Sequence, residues 1–187
     1  MILGLDISTS CTGWSLLTPD GSLDSQGYIR LTKIKDVFKK AERVKEILSK
    51  EISIDKVSHV YIEQNLQSFR SGFSSAQTLS TLARFNGIVS YIMFQITGIS
   101  PEYLNVNSAR KTVGLKIDRK SEASTKDQVF DWTREKIALS SYSWPVKILK
   151  SGPRKGQKIF DPVCYDISDA YVIALAGHIM NKGALAV

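Results

Sequence analysis

Residues 1–17, MILGLDISTSCTGWSLL, open with an apolar run that reads as a buried strand, and one carboxylate, Asp6, interrupts it. A carboxylate on such a strand loses solvation. It needs a cation, a network of donors or a place at the solvent-facing end of the strand. Any fold that accepts this sequence must supply one of these, and the partner has to come from elsewhere in the chain.

The order of elements narrows where that partner lies. ILGLDIS predicts a first strand, and GWSLLTPDGSLDSQGYIRL predicts two more around the turn Pro19-Asp20-Gly21, giving a three-strand antiparallel meander. From Asp36 to Ile52, Val37, Phe38, Ala41, Val44, Ile47 and Leu48 recur at three- and four-residue spacing, which predicts an amphipathic helix. VSHVYIEQ returns as a fourth strand. Residues 74–97 carry a long helical pattern ended by Gly98 and Pro101, EYLNVN reads as a short fifth strand, and Ser124 to Asp127 resembles a capping box opening a helix to about Leu139. Two strand-like pieces around Ser151-Gly-Pro-Arg-Lys-Gly156 predict a basic hairpin at about 146–160. DISDAYVIALAGHIM closes the chain as a largely buried helix.

The expected architecture is one α/β domain over residues 1–187: a five-stranded mixed sheet, with the meander plus two parallel strands, flanked by helices. Two cysteines, Cys11 and Cys164, make no disulfide framework and no CxxC pair, so a reducing, intracellular and cytoplasmic setting is expected. No apolar run reaches the ~18 residues needed to span a bilayer. His59 and His178 read as structural, and Trp14, Trp132 and Trp144 as packing residues.

Asp6 is not alone. Glu63 ends the fourth strand, and Asp166 and Asp169 lie three apart at the start of the closing helix, on one face of it. Each has a plain structural reading: a turn-forming Asp6, a salt-bridged Glu63, an N-capping Asp166 with Asp169 against the helix dipole. As a set they mean more. Carboxylates gathered in one place repel unless cations neutralise them, and hard oxygen ligands suit Mg²⁺ or Mn²⁺. Two such ions about 4 Å apart serve phosphoryl chemistry.

Asp6 followed by STSCTGW, Glu63 in IEQ, and DISDA opening the last helix resemble the ribonuclease H-like superfamily and, within it, Holliday junction resolvases of the RuvC family. The resemblance implies that Asp6, Glu63, Asp166 and Asp169 bind two divalent metals per active site. It implies that Lys126, in STKDQV, contacts the scissile phosphate, and that the helix containing AQTLSTLARFNGIVSYIM contributes to a homodimer interface. The bacterial family places an aromatic close after the strand-4 glutamate. Here the third residue after Glu63 is Leu66, and the nearest aromatics are Phe69 and Phe73. The long basic hairpin points to a viral or otherwise divergent member.

The 25 lysines and arginines exceed the 18 acids, giving +7, and the pI is near 9.4, a balance that favours polyanionic partners. Two clusters stand out as DNA contacts: Arg110, Lys111, Lys116, Arg119, Lys120 and Lys126, then Lys147, Lys150, Arg154, Lys155 and Lys158. Phe69, Arg70 and Phe73 form a loop that can stack on unpaired bases at a branch point, or tuck its rings into the core. The implied activity is a metal-dependent endodeoxyribonuclease that cuts four-way junctions in pairs, with branched DNA as partner and no membrane association. Related alternatives are a nuclease for RNA:DNA hybrids or other branched DNA, and an inert junction-binding protein. GLDISTSCTGW also resembles the phosphate-binding turn of sugar kinases and actin-like ATPases, but these need a second similar domain for which 187 residues leave no room.

Overall fold

A computed structural model describes residues 1–64 and 76–184. The elements are β1 (Ile2–Ile7), β2 (Cys11–Leu17), β3 (Leu23–Arg30), α1 (Val37–Glu51), β4 (His59–Glu63), α2 (Ala76–Thr97) and β5 (Glu102–Leu104), then α3 (Val106–Thr112), α4 (Thr125–Lys136), β6 (Val146–Ile148), β7 (Lys158–Phe160) and α5 (Val163–Ala184). The main sheet runs β3-β2-β1-β4-β5, with β1 and β3 antiparallel to β2, β4 parallel to β1, and β5 parallel to β4. This is the expected mixed sheet. Strands β6 and β7 pair separately as the basic hairpin.

Alternation along the strands divides the sheet into two faces. Leu3, Leu5, Ile7, Trp14, Leu16, Val60 and Ile62 bury into one core with α1 and α2, whose Val44, Leu48, Val89 and Met93 meet them. Ile2, Leu17 and Tyr61 go to the other core, with Val172, Ile173 and Ala176 of α5. By the same period of two, Asp6 and Glu63 lie on the α5 face. In the β1–β4 register Gly4 faces Tyr61 and Leu5 faces Ile62, so Asp6 and Glu63 follow side by side at the ends of parallel strands.

Helix α5 approaches this face at backbone contact. A Cβ at Gly13 would lie 2.0 Å from the Asp166 carbonyl oxygen, and one at Gly4 2.4 Å from that of Ala170. Within α5 the same holds in reverse, because a Cβ at Gly177 would meet the Tyr61 ring at 2.1 Å. Only glycine permits these approaches.

Three boundaries differ from the sequence expectation. Helix α5 begins at Val163, and Asp161 does the capping: its Oδ1 accepts from the Val163 N–H at 3.1 Å while its other oxygen takes Arg30. Asp166 is therefore not the N-cap. Helix α4 ends at Lys136, short of Leu139, which is fully exposed. Helix α3 was not expected; Asn105 caps it by accepting from Asn107 and Ser108. Ser124 caps α4 as predicted, accepting from the Asp127 N–H at 3.2 Å, and Gly98, at φ +72°, follows α2. Among the described residues no helix is long and apolar enough to cross a membrane.

Gly13→Ala is expected to lower stability by about 2 kcal/mol or more, because the methyl meets helix backbone that cannot rotate away. Denaturant unfolding should show a lower midpoint at unchanged slope. An unchanged midpoint would contradict the close packing of α5 on β2.

Candidate metal site

One carboxylate oxygen each from Asp6, Glu63 and Asp169 lie within 4.8 Å of one another. Strand β1, the end of β4 and the second turn of α5 thus converge. If all were ionised, each pair would repel by about 3 kcal/mol at an effective dielectric of about 20. The turn after β1 does not use Asp6 to close itself. The Ser8 hydroxyl does so, donating to the Cys11 carbonyl at 2.7 Å and accepting its N–H at 3.1 Å. Among the described residues Glu63 is in no ion pair.

Asp166 stands beside the trio rather than within it. Its charge raises the proton affinity of Asp6 and Glu63, and the neighbouring Cys11 thiol lowers its own. Burial raises Asp6 well above the ordinary range, with Glu63, Asp169 and Asp166 adding to it. Burial and then Asp169 push Glu63 up to about 7, against the opposing charges of Arg110 and Lys126. Asp166 and Asp169 are also raised, chiefly by burial. Burial, then Asp166, keeps Cys11 protonated, so it serves as a donor.

Among the described residues Lys126 and Arg110 face the trio, and Arg30 opposes the raised proton affinity of Asp166. Lys126, in the first turn of α4, opposes the raised proton affinity of all four. Its ammonium lies 5.9 Å from the centre of the Tyr165 ring, and the Tyr165 hydroxyl donates to Asp127 at 2.6 Å, tying α4 to α5. Arg110, from α3, donates to Asp169 at 3.1 Å. The sequence reading grouped Arg110 with the free DNA contacts; the fold instead turns it inward onto an acid of the site. Its partner was invisible because 59 residues separate the two.

Lys111, Lys116, Arg119 and Lys120 are exposed, as are Lys150, Arg154, Lys155 and Lys158 on and beside the hairpin. Among the described residues none of these eight is in an ion pair. Gln128 braces the first group, accepting from the Asp118 N–H at 2.8 Å and donating to its carbonyl at 2.9 Å. Phe69, Arg70 and Phe73 lie outside the described residues. Trp14 is buried, Trp132 packs on Tyr171 and Trp144 edge-on to Phe130, while His178 is buried against Gly21.

The donor set fits a hard divalent cation. The ligating atoms that converge are carboxylate oxygens, with no imidazole or thiolate among them, and a bound cation would relieve the crowding that otherwise favours their protonation.

A pH dependence follows. A carboxyl whose proton affinity is raised by folding stabilises the folded state below its unfolded value and loses that contribution as pH rises through the folded one. For Glu63 the window runs from 4.5 to about 7. In chelator, the melting temperature should fall across this window, and saturating Mg²⁺ should restore it most at the alkaline end. Asp6→Asn should flatten the fall and stabilise the metal-free protein at pH 8 by roughly 1 kcal/mol or more, the equivalent of about one pKa unit. A melting temperature that rises across the window would contradict the crowding of the acids.

No protein-family model and no curated protein sequence matches the chain. Solved structures do. The structure of Thermus thermophilus RuvC aligns with a TM-score of 0.62 at 13% identity, covering 98% of this chain and 97% of that one. Thermus thermophilus RuvC in complex with Holliday junction substrate aligns with a TM-score of 0.64 at 14% identity, covering 98% and 96%. The chain has the RuvC fold, a ribonuclease H-like α/β fold, over nearly its whole length.

Proposed function

We propose that the chain is a divalent-metal-dependent, structure-selective endodeoxyribonuclease that resolves four-way DNA junctions by paired symmetric nicks, acting as a homodimer. The observation that carries this reading is the convergence of Asp6, Glu63 and Asp169 on one face of a RuvC-like sheet.

In this reading Asp6, Glu63, Asp166 and Asp169 hold two Mg²⁺ or Mn²⁺ ions. When bound, such ions lower the pKa of a water and stabilise the leaving oxygen of a phosphodiester. The chain's own residues do the rest. Lys126 places a positive charge beside the acids, where a scissile phosphate would lie. The protonated Cys11 thiol stands beside the Asp166 carboxylate. The exposed bases at 111–120 and 150–158 take the sugar-phosphate backbone without reading sequence.

The homodimer is supported by α2, which leaves Tyr91 60% and Phe94 45% exposed three residues apart on one face. A two-fold dimer matches a four-way junction because each site then faces a symmetry-related strand.

The test is cleavage of a labelled four-way junction beside matched linear duplex and an RNA:DNA hybrid, in Mg²⁺, in Mn²⁺ and in chelator. Paired nicks confined to the junction are expected, absent in chelator and slowed about a hundredfold or more by Asp6→Asn. Preferential cutting of the hybrid would change the substrate, and tight binding without cutting would mark an inert junction binder. Tyr91→Glu combined with Phe94→Glu should shift the sedimentation profile to monomer and turn paired nicks into single ones. A dimer that persists in this double variant would place the interface elsewhere.

A further inference from the structure

The inner cation of the site is bound in an unusual way. Arg110 and Asp169 are both largely buried, at 15% and 14% side-chain exposure, yet one contact at 3.1 Å joins them. The guanidinium fork is built for two parallel bonds to a carboxylate, and that second bond is not made. Its Nε–H is buried without a partner. A buried pair kept for stability alone would be bidentate or replaced by packed apolar side chains. This one is under-committed, and the carboxylate it holds belongs to the converging trio.

Its position is also fixed from outside the site. Arg110 sits in the last turn of α3, which Asn105 caps at one end and whose Ala109 is buried in the core shared with α5. The other cation, Lys126, is exposed and stands over Tyr165. Of these two, Arg110 is the one whose side chain is largely buried.

We propose that Arg110 is a resident counter-ion: it occupies Asp169 while no divalent ion is bound, and its charge sets how much divalent ion is needed to load the acids. This rests on the reading of those acids as divalent-ion ligands. Arg110 acts through Asp169 and is a positioning residue. With the acids folded around an internal cation, the metal-free site is held assembled, and a metal ion must bind against a positive charge that stays nearby.

The test is Mn²⁺ titration by calorimetry on the full chain without DNA, for wild type, Arg110→Gln and Arg110→Lys, with thermal unfolding of each in chelator. Arg110→Gln should melt lower than wild type in chelator and yet bind Mn²⁺ about tenfold more tightly, because one positive charge has left the site. Arg110→Lys keeps the charge and should bind within about threefold of wild type. Unchanged or weaker binding by Arg110→Gln would overturn the proposal, since loss of a partner that only orients a ligand weakens the metal. If Arg110→Gln does not fold, an Arg110→Lys affinity outside that threefold range overturns it equally. A wild type that binds no Mn²⁺ would remove the metal reading itself, and this proposal with it.

Discussion

The rest of the structure depends on the contact of α5 with β1 and β2 at backbone distance. Gly4 and Gly13 remove the side chains that would hold the helix off the sheet, and Gly177 does the same where α5 passes Tyr61. Aspartate side chains reach only a short way, so Asp169 can meet Asp6 only if the helix lies this close. An ordinary layer of side chains between helix and sheet would separate them. Packing and site are thus one constraint, and the apolar character of α5 beyond Asp169 is what drives the helix onto the sheet.

The acid cluster works against stability. Four acids are drawn out of water, and their proton affinities all rise as a result. Compensation comes from several elements: Arg110 from α3, Lys126 from α4 and the thiol of Cys11 from β2. The start of α5 is secured separately, by Asp161 capping Val163 and pairing with Arg30 of β3. A site assembled this way has each acid on a rigid element, which suits ligands that must hold a fixed geometry.

Much of this was legible. Asp6 and Glu63 stood out because a carboxylate in an apolar strand conflicts with its surroundings, and such conflicts concentrate at functional sites. The meander, the long helices and the hairpin followed from periodicity and turn residues. The start of α5 was misplaced because Asp166 drew attention away from Asp161-Pro162, an N-cap followed by proline that itself signals a helix start. Helix α3 was missed because EYLNVN reads as strand, although Asn105 before an alanine-containing run is a cap signal.

By itself the sequence determined which residues bear charge and on which face of its own strand or helix each one lies, because alternation and helical period are local properties of the backbone. It also determined that the buried acids require positive charge nearby. Only the tertiary structure decided which cation meets which acid. Arg110 could be a solvent-facing phosphate contact or an internal counter-ion, and its local sequence is the same in both cases. The choice follows from how α3 packs against α5, a contact between segments 59 residues apart that no local pattern encodes. The inclusion of Asp169 in the trio, with Asp166 beside it, likewise depends on where α5 lies against the glycine positions of the sheet.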